Sequence, residues 1–379
     1  MLIKFEVQRT LIDHFKQKRM RNTLILVTGT FLILLSGKMS FKNSGNVNTS
    51  KYNMDSSLKR DFVFGDQQQF PQCHASTLIR LRDGKFLVAW FGGTKEKDDD
   101  VGIWMSAGRP GEWSIPSEVA KISHKPHWNP VLFQSPEGKI FLFFKVGKEI
   151  SKWQTWLMTS VDGGKTWSAA HELVKGDHGG RGPVRNKPIV LSNGTWIAGA
   201  SNEDGLWNVF FDLSNDEGNT WHATPFLSVD RKSLSGKGVI QPTLWESEPG
   251  HVHALLRSSS GVICRADSKD YGKTWSPVYK TQIPNPNSTV DLAKLPNGHL
   301  ILACNPDNSN WGSRGELVLL ESGDNGKSWQ ELVELENGSR DDEYSYPAII
   351  NFGDSIAVTY TWKRKKIAFR TGRIVNATR

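Results

Sequence analysis

The octapeptide SVDGGKTW at residues 160–167 decides the fold of this chain, because it returns three more times at a constant spacing. The other copies are SNDEGNTW at 214–221, SKDYGKTW at 268–275 and SGDNGKSW at 322–329. Consecutive copies are 54 residues apart, and one further step upstream reaches Trp113 in a degenerate copy. A fixed period of this length is typical of repeat architectures, so the repeat has to be interpreted before any single residue.

Each residue type in the octapeptide has a structural role that needs no substrate. Glycine at the fifth position supplies the positive φ of a tight turn. The aspartate and the Ser or Thr hydroxyls can accept hydrogen bonds from N–H groups of the same turn, and the tryptophan is a large apolar plug. We therefore interpret the four copies as structural turns and expect the functional site elsewhere.

A second recurring feature is a short apolar run that follows a glycine turn. Such runs begin at Gly84 (GKFLVAW), Gly138, Gly194, Gly250, Gly298 and Gly353. Their β-branched and aromatic residues, bounded by turn residues, predict strands. Six units of about four short strands each predict an all-β fold, a six-bladed β-propeller. We expect a strand near Phe62–Phe64 to close the ring with residues 367–370, because closure removes exposed sheet edges.

The first 60 residues differ in charge and hydropathy from the rest of the chain. Their basic excess accounts for the whole net charge of +8. A basic run precedes the apolar stretch TLILVTGTFLILL at 23–35, which is the order found in a secretory signal peptide. A membrane anchor is the alternative, although the apolar run is short for a full span. We predict a signal peptide or anchor at 1–37, a polar linker at 38–62, the propeller at 63–379, and export from the cytoplasm.

The rest of the chain argues against several classes of function. Residues 61–379 carry equal numbers of basic and acidic side chains, whereas a nucleic-acid-binding body would have a basic excess in its folded part. Cys73, Cys264 and Cys304 lack zinc-site spacing; buried free thiols are the favoured interpretation, and one disulfide is the alternative. No ligand-spaced acidic cluster appears. We expect no metal, no cofactor, no membrane contact beyond the N-terminal segment, and a monomer.

With these turns at this spacing, residues 65–375 resemble the sialidase superfamily. In that family the pattern Ser-x-Asp-x-Gly-x-Thr-Trp is called the Asp box, or BNR repeat, and the catalytic domains are six-bladed propellers. The resemblance implies an exo-α-sialidase-like glycoside hydrolase acting on or next to an acidic sugar. It also implies three arginines that bind the substrate carboxylate, a Tyr–Glu pair for the nucleophile, and an acid/base Asp in a first-blade loop. An anionic sugar suits bidentate guanidinium donors, and its cleavage needs a proton donor.

Five residues of this chain match positions in that pattern. Arg257 resembles the family's second arginine, and Arg314 resembles the third, because each precedes an octapeptide turn in the expected way. Tyr344 in the segment EYSYP resembles the nucleophile, and Asp99 and Asp100, in an acidic run, lie where the acid/base loop is expected. The residues alone leave alternatives open: ion pairs for the arginines, a solvated loop for the aspartates and a packed strand position for the tyrosine.

Two positions depart from the family pattern. The segment QCHAST at 72–77 contains no arginine where the family's first arginine is expected. Gln241 stands where the glutamate that activates the tyrosine is expected. A neutral amide cannot act as that base, so the resemblance does not define the sugar beyond its acidity.

The repeat register places a polar segment at the start of each inner strand, where it would line the mouth of the central funnel. These starts are His74, Asn129-Pro130, Asn186-Lys187-Pro188, Gln241-Pro242, Val290-Asp291 and Tyr346-Pro347, with His127, Trp128, Arg181 and Arg185 nearby. A polar ring with aromatic and cationic members suits an acidic sugar. The candidate substrate-binding residues in this ring are Arg185, Asn186, Gln241, Trp128 and Asn129. His74 is a candidate general acid or base near neutral pH, with a hydrogen-bonded core histidine as the alternative.

The sequence thus predicts an exported enzyme of the sialidase superfamily that hydrolyses an acidic oligosaccharide or polysaccharide. One alternative is a polysaccharide lyase, in which Arg257 or Arg314 neutralises a uronate carboxylate and His74 or Tyr344 moves the proton. The other alternative is a propeller that only binds glycan, which the missing glutamate would permit. A lyase product carries a conjugated double bond that absorbs in the ultraviolet, whereas a hydrolase product does not.

Overall fold

The structure is a computed structural model that describes residues 52–54, 58–66 and 68–376. The predicted signal peptide or anchor at 1–37 lies outside the described residues. Within the described part of the chain, no helix has the length and apolar character needed to span a membrane.

The described residues form six antiparallel sheets of four or five strands, and the only helix among them is a 3-10 turn at Ile150–Lys152. Two short strands, β1 (Tyr52–Met54) and β2 (Asp61–Phe62), come first. Blade one contains β3 (Gln72–Arg80), β4 (Phe86–Gly93), β5 (Gly102–Arg109), β6 (Glu112–Trp113) and β7 (Ser117–Ala120). Blade two contains β8 (His127–Gln134), β9 (Ile140–Val146), β10 (Gln154–Ser160) and β11 (His171–Glu172).

The other four blades repeat this order along the chain. Blade three contains β12 (Ile189–Val190), β13 (Trp196–Asn202), β14 (Asn208–Ser214) and β15 (His222–Ala223). Blade four contains β16 (Val239–Glu248), β17 (His251–Ser258), β18 (Val262–Ser268) and β19 (Tyr279–Pro284). Blade five contains β20 (Asp291–Lys294), β21 (Leu300–Cys304), β22 (Glu316–Ser322) and β23 (Gln330–Asn337). Blade six contains β24 (Tyr344–Phe352), β25 (Ser355–Trp362) and β26 (Lys366–Asn376), and the all-β six-bladed propeller is confirmed.

The ring closes by pairing the beginning of the described chain with its end. Asp61 and Phe62 of β2 pair with Phe369 and Ala368 of β26, and the Val63 N–H donates to the Ile367 carbonyl over 3.0 Å. Strand β1 also pairs with β26, further along. The predicted closure is therefore present, and the segment predicted as a linker contributes two strands to blade six.

Apolar side chains fill every interface between neighbouring blades. Six buried clusters are present, and each joins side chains of two adjacent blades, as where Trp196 of blade three packs on Phe133 and Phe141 of blade two. Burial of such large side chains contributes roughly 1.5–3 kcal/mol each. The three cysteines lie in these interiors as free, buried thiols.

The octapeptide turns have the hydrogen bonds that their residue types predict. In the first copy, Asp162 accepts from the Thr166 N–H (3.0 Å) and from the Thr166 hydroxyl (2.6 Å). The Gly164 N–H donates to the Ser160 hydroxyl oxygen over 2.9 Å, with Gly164 at a φ of +83°. The Trp167 indole N–H donates to the Gly164 carbonyl over 3.1 Å. These side chains are used within the turn, which agrees with a structural role.

The last turn offers a test of this role, because Asp324 accepts the same bonds from Ser328. Burial raises the pKa of Asp324, but the hydrogen bonds from Ser328 and Ser322 outweigh it and lower the pKa below 3.8. We expect Asp324→Ala to reduce the free energy of unfolding by about 1 kcal/mol, since solvent screens this exposed carboxylate. This reduction in the free energy of unfolding should have its full size above pH 3.8 and should disappear as the pH falls through the lowered pKa of Asp324.

Chemical denaturation as a function of pH measures this effect. Asp354→Ala is the matched control, because Asp354 makes only an exposed ion pair with Arg373 at 3.6 Å and should change stability by less than about 0.5 kcal/mol. Equal effects of the two substitutions at neutral pH would contradict the proposed role of the turn.

Candidate functional site

The inner strands of the blades bring their first residues to one mouth of the ring. Each inner strand is antiparallel to the second strand of its blade, so it begins where that second strand ends. His74 near the start of β3 pairs with Phe91 near the end of β4, and Ile240 of β16 pairs with Arg257 of β17. The loops that follow the second strands therefore border the same mouth.

A β-bulge interrupts four of the six inner strands just after they begin. The register shifts lie at His74/Thr77, Trp128/Val131, Ile240/Thr243 and Ser345/Ala348. The non-glycine residues at positive φ in these segments, and just before the inner strand of blade three, are Ala75 (58°), Asn129 (43°), Arg185 (70°), Gln241 (54°) and Tyr346 (55°). Left-handed conformations of non-glycine residues cost free energy and are concentrated at functional sites, and bulges re-aim side chains. The predicted inner-strand register therefore coincides with the strained positions of the mouth.

Tyr346 is the residue on which the other side chains of the mouth converge. The Arg257 guanidinium donates to the Tyr346 hydroxyl over 2.9 Å. The guanidinium carbons of Arg185, Arg257 and Arg314 lie 5.6, 5.8 and 5.5 Å from the centre of the Tyr346 ring. The ring of His74 packs against the ring of Tyr346, with the ring centres 4.1 Å apart. We call these five residues the mouth cluster.

Arg257 connects Tyr346 with the neighbouring blade. It is only 4% exposed, and its Nε donates to Oδ1 of Asn287 over 2.8 Å. The nitrogen that binds Tyr346 also donates to Oε1 of Gln241 over 3.0 Å. The Thr289 hydroxyl donates to this same amide oxygen. The oxygen of Gln241 thus faces Arg257 and lies beside the tyrosine, at the position where the family resemblance implies a glutamate.

Arg314 is oriented by an ion pair that continues away from the mouth. It donates to Glu343 over 3.1 Å and to the Asn287 carbonyl over 3.2 Å. Glu343 also pairs with Arg364 over 2.7 Å, and Arg364 pairs with Glu96. Burial raises the pKa of Glu343, but the hydrogen bond and charge of Arg364 and the charge of Arg314 outweigh it and lower the pKa. Glu343 is therefore a carboxylate that holds two arginines in place.

Arg185 is a buried guanidinium whose hydrogen bonds are incomplete. It is 1% exposed, and one nitrogen donates to the carbonyls of Tyr346 (2.7 Å) and Pro347 (2.9 Å). Its Nε and Nη1 have no hydrogen-bond partner. Burial lowers the pKa of Arg185 to about 10, so the group stays charged at neutral pH. A buried cation whose hydrogen bonds are incomplete is costly, and an anion in the mouth would offset that cost.

His74 is a buried histidine in this environment. The Ala75 N–H donates to Oγ1 of Thr361 (3.1 Å), and this hydroxyl lies 2.8 Å from Nδ1 of His74. The Thr361 hydroxyl can either donate to Nδ1 or accept from it, and Nε2 has no hydrogen-bond partner among the described residues. Burial, followed by the charges of four arginines, lowers the pKa of His74 well below 6.5. His74 is therefore a neutral imidazole at neutral pH, and its predicted role as a general acid or base stays a prediction.

Three of the predicted catalytic residues lie apart from the mouth cluster. Tyr344 is buried within the apolar core of blades five and six, with its ring 6.2 Å from that of Trp362. Asp100 accepts from the Thr94 N–H over 2.7 Å, and Asp99 pairs with Lys148 over 2.9 Å. Among the described residues, neither aspartate contacts the mouth cluster; both carboxylates are exposed on a rim loop.

The remaining predicted binding residues support the ring. Asn186 donates to the carbonyls of Gln241 (3.1 Å) and Val290 (3.0 Å), and so ties blades three, four and five together. Trp128 is 2% exposed and donates to the Gly147 carbonyl over 2.8 Å. Asn129 is buried and occupies the bulge of blade two. These buried residues support the residues of the mouth, and little of their own surface is accessible to a ligand.

Sequence reasoning missed several residues that the structure brings to the mouth. They are Tyr346 as the central group, Glu343, Arg364, Asn287, and the indoles of Trp207 and Trp311, which lie 5.6 and 5.8 Å from the Arg257 guanidinium. For Tyr346 a signal was available, because the inner-strand register includes Tyr346-Pro347 and not Tyr344. For Asn287 and the indoles, which lie in loops, the 54-residue period carries no information.

The fold and the arginine-rich mouth together define a propeller of the sialidase-like superfamily. The model of the BNR repeat-like domain family matches residues 84–358, and the chain belongs to this family.

Solved structures share the fold at low sequence identity. A protein of unknown function from Dyadobacter fermentans is 16% identical, with a TM-score of 0.67 over 85% of this chain and 100% of its own. A mutant of the NanB sialidase from Streptococcus pneumoniae is 15% identical, with a TM-score of 0.64 over 84% and 70%. The intramolecular trans-sialidase from Ruminococcus gnavus, in complex with oseltamivir carboxylate, is 14% identical, with a TM-score of 0.63 over 83% and 97%. At these identities the similarity establishes the fold alone.

Proposed function

We propose that this chain is an exported glycoside hydrolase that cleaves a glycan at or next to a sugar bearing a carboxylate. The observation that carries the proposal is the convergence of Arg185, Arg257 and Arg314 within 6 Å of the ring of one tyrosine. Three guanidinium groups around a polar mouth suit an anionic ligand better than a neutral one. Export is proposed from the basic and apolar order of the N-terminal segment.

In this proposal the sugar carboxylate binds to Arg257 and Arg314 through the guanidinium N–H groups that their contacts with the protein leave unused, and hydrogen bonds to such charged donors are strong. Asn287 orients both arginines, one through its side chain and one through its carbonyl. Arg185 takes the place of the arginine that blade one lacks. It adds a third positive charge and two nitrogens, Nε and Nη1, that have no hydrogen-bond partner among the described residues. The carboxylate thus fixes the position of the ring that reacts.

Tyr346 is the proposed group that faces the anomeric carbon. Its oxygen is held by Arg257 beside Gln241, at the mouth rather than in the blade core. The amide of Gln241 cannot take the phenolic proton. The proposed contribution of Tyr346 is therefore to stabilise the positive charge that develops on the sugar in the oxocarbenium-like transition state.

One observation favours the lyase as a second candidate. Nε2 of His74 has no partner among the described residues and lies beside Tyr346. In the tautomer that carries its proton on Nε2, His74 would be a neutral donor of the kind that stabilises the enediolate formed when a proton leaves the carbon next to a carboxylate. Acting as a phenolate, Tyr346 would take this proton from the carbon and give it to the departing oxygen as the bond between that oxygen and the sugar breaks. A hydrolase would use the same arginines, but it forms no enediolate and therefore needs no such donor.

A comparison of acidic glycans with their carboxyl-reduced counterparts tests the proposal. The purified full chain is incubated with terminal sialosides and with uronic-acid oligosaccharides, and the products are analysed by mass and ultraviolet absorption. We expect cleavage of an acidic glycan, no cleavage of its reduced counterpart, and products that have gained one water. Products that absorb in the ultraviolet and have gained no water would identify the lyase. Binding of acidic glycans without cleavage would overturn both enzymatic assignments in favour of a binding module.

A further inference from the structure

Glu203 lies in the loop between β13 and β14, which borders the mouth because β13 is the second strand of blade three. The equivalent second strand of blade four ends with Arg257 and Ser258. Trp207 closes the same short loop, and the Arg257 guanidinium lies 5.6 Å from its ring. The loop of Glu203 is therefore in direct contact with the mouth cluster across the boundary of blades three and four.

One oxygen of the Glu203 carboxyl group makes no hydrogen bond in the described part of the chain. Its Oε1 is shielded from solvent and has no hydrogen-bond partner. Buried polar atoms are satisfied in the great majority of cases, and the exceptions call for an explanation such as an unrecorded ligand or a catalytic role. By contrast, Asp99 pairs with Lys148 of blade two, Asp100 accepts from the Thr94 N–H of its own loop, and Glu343 pairs with two arginines.

Three positively charged side chains act on Glu203. Burial raises its pKa above 4.5, and the positive charges of Arg257, Lys145 and Lys237 oppose this rise without cancelling it. Lys145 is held by the Thr155 hydroxyl and the Arg181 carbonyl, and Lys237 lies over the ring of Trp207 at 5.9 Å. A carboxyl group with a raised pKa can keep its proton into the working pH range, which is what a general acid requires.

We propose that Glu203 is the catalytic acid and base of the glycosidic cleavage, an assignment that rests on the proposed hydrolase function. The Glu203 carboxyl gives its proton to the glycosidic oxygen as the bond between that oxygen and the anomeric carbon breaks, and the bonding electron pair leaves with the oxygen. Water then attacks the anomeric carbon, and the Glu203 carboxylate takes the proton that the water loses. The sugar bearing the carboxylate stays on the arginines, and the departing sugar leaves past Trp207.

Glu203→Gln tests the assignment, with Asp204→Asn as the matched control one residue further along the exposed loop. With a glycan whose leaving group is a sugar, Glu203→Gln should lower kcat/KM by about 10²-fold. With an aryl glycoside of the same acidic sugar the loss should be much smaller, because a good leaving group needs no proton. The fall of activity with rising pH in the wild type reports deprotonation of this acid, and the variant should lack that fall. Asp204→Asn should keep both rates and the pH profile.

The possible results separate the two proposals. If the wild type cleaves no acidic glycan, the hydrolase assignment fails and the role of Glu203 fails with it. If the wild type is active and Glu203→Gln keeps the same pH profile and the same ratio of rates on the two substrates, the hydrolase assignment stands and the role of Glu203 is overturned. Melting temperatures of both variants exclude a loss through unfolding, and an equal loss on both substrates would also contradict an acid role.

Discussion

Tyr346→Phe is expected to lower kcat/KM on an acidic glycan by about 10³- to 10⁴-fold, whereas Tyr344→Phe should leave it within about threefold of the wild type. The two tyrosines are two residues apart on β24, so the pair compares one chemical change at two depths of one strand. Tyr346 places its hydroxyl on Arg257 in the mouth. Tyr344 lies in the apolar core of blades five and six. Steady-state kinetics on both variants measures the difference.

The reason for the large effect is that the phenolic oxygen acts in the transition state and not in ground-state binding. The loss should therefore appear in kcat, with a small change in KM. Thermal denaturation provides the control, because Tyr344→Phe disturbs a buried side chain and should lower stability at least as much as Tyr346→Phe. A larger loss of activity in Tyr344→Phe than in Tyr346→Phe would contradict the assignment and restore the one made from the sequence.

The fold was predictable because it is encoded locally and repeatedly. Each octapeptide turn uses side chains from one stretch of eight residues, such as Ser160, Asp162 and Thr166, and a local pattern is visible in one sequence. The constant period then places every blade, and the closing strand follows from the need to cover a sheet edge. The family resemblance and the structure therefore agree over the whole ring.

The candidate site was predictable only where it follows this period. Arg257, Arg185 and Gln241 lie at register positions, and the structure brings all three to the mouth. The interpretation of Tyr344 relied on its neighbour Ser345 instead of the register. The bulge between Ser345 and Ala348 turns Tyr346 into the mouth, and the alternation of a regular strand does not reveal such a local change of direction.

The contacts that determine the chemistry of the site could not be predicted from the sequence. His74 is neutral because it is buried beside arginines from blades three to six, and its tautomer depends on Thr361, which is 287 residues away along the chain. The partners of Asp99 and the lack of a partner for Oε1 of Glu203 also depend on how loops of different blades meet. Residue type indicates what a side chain can do, whereas burial and neighbours decide whether it does so.

Arg257→Lys is expected to lower kcat/KM on the acidic glycan by about 10³-fold while keeping the positive charge. Lysine carries one compact ammonium group, so it cannot reproduce the planar fork that binds Asn287, Gln241 and Tyr346 together. One ammonium group on a flexible stem cannot reach the amide oxygens, the phenol and the sugar carboxylate at once, so some of these hydrogen bonds would be lost. Each lost hydrogen bond to a charged group costs about 1.5–3 kcal/mol, and two such losses give the expected factor.

A second buried arginine of the same blade provides the control for this substitution. Arg265 pairs with Asp267 over 2.9 Å and donates to the Asn325 carbonyl, so its bonds hold an octapeptide turn to blade four. Arg265→Lys should lower the melting temperature yet keep the preference for an acidic glycan over its carboxyl-reduced counterpart. Arg257→Lys should reduce that preference, because the proposed role of the Arg257 guanidinium is to bind the carboxylate itself. An unchanged preference in Arg257→Lys would show that the carboxylate binds elsewhere, and would leave Arg257 as a support for Tyr346.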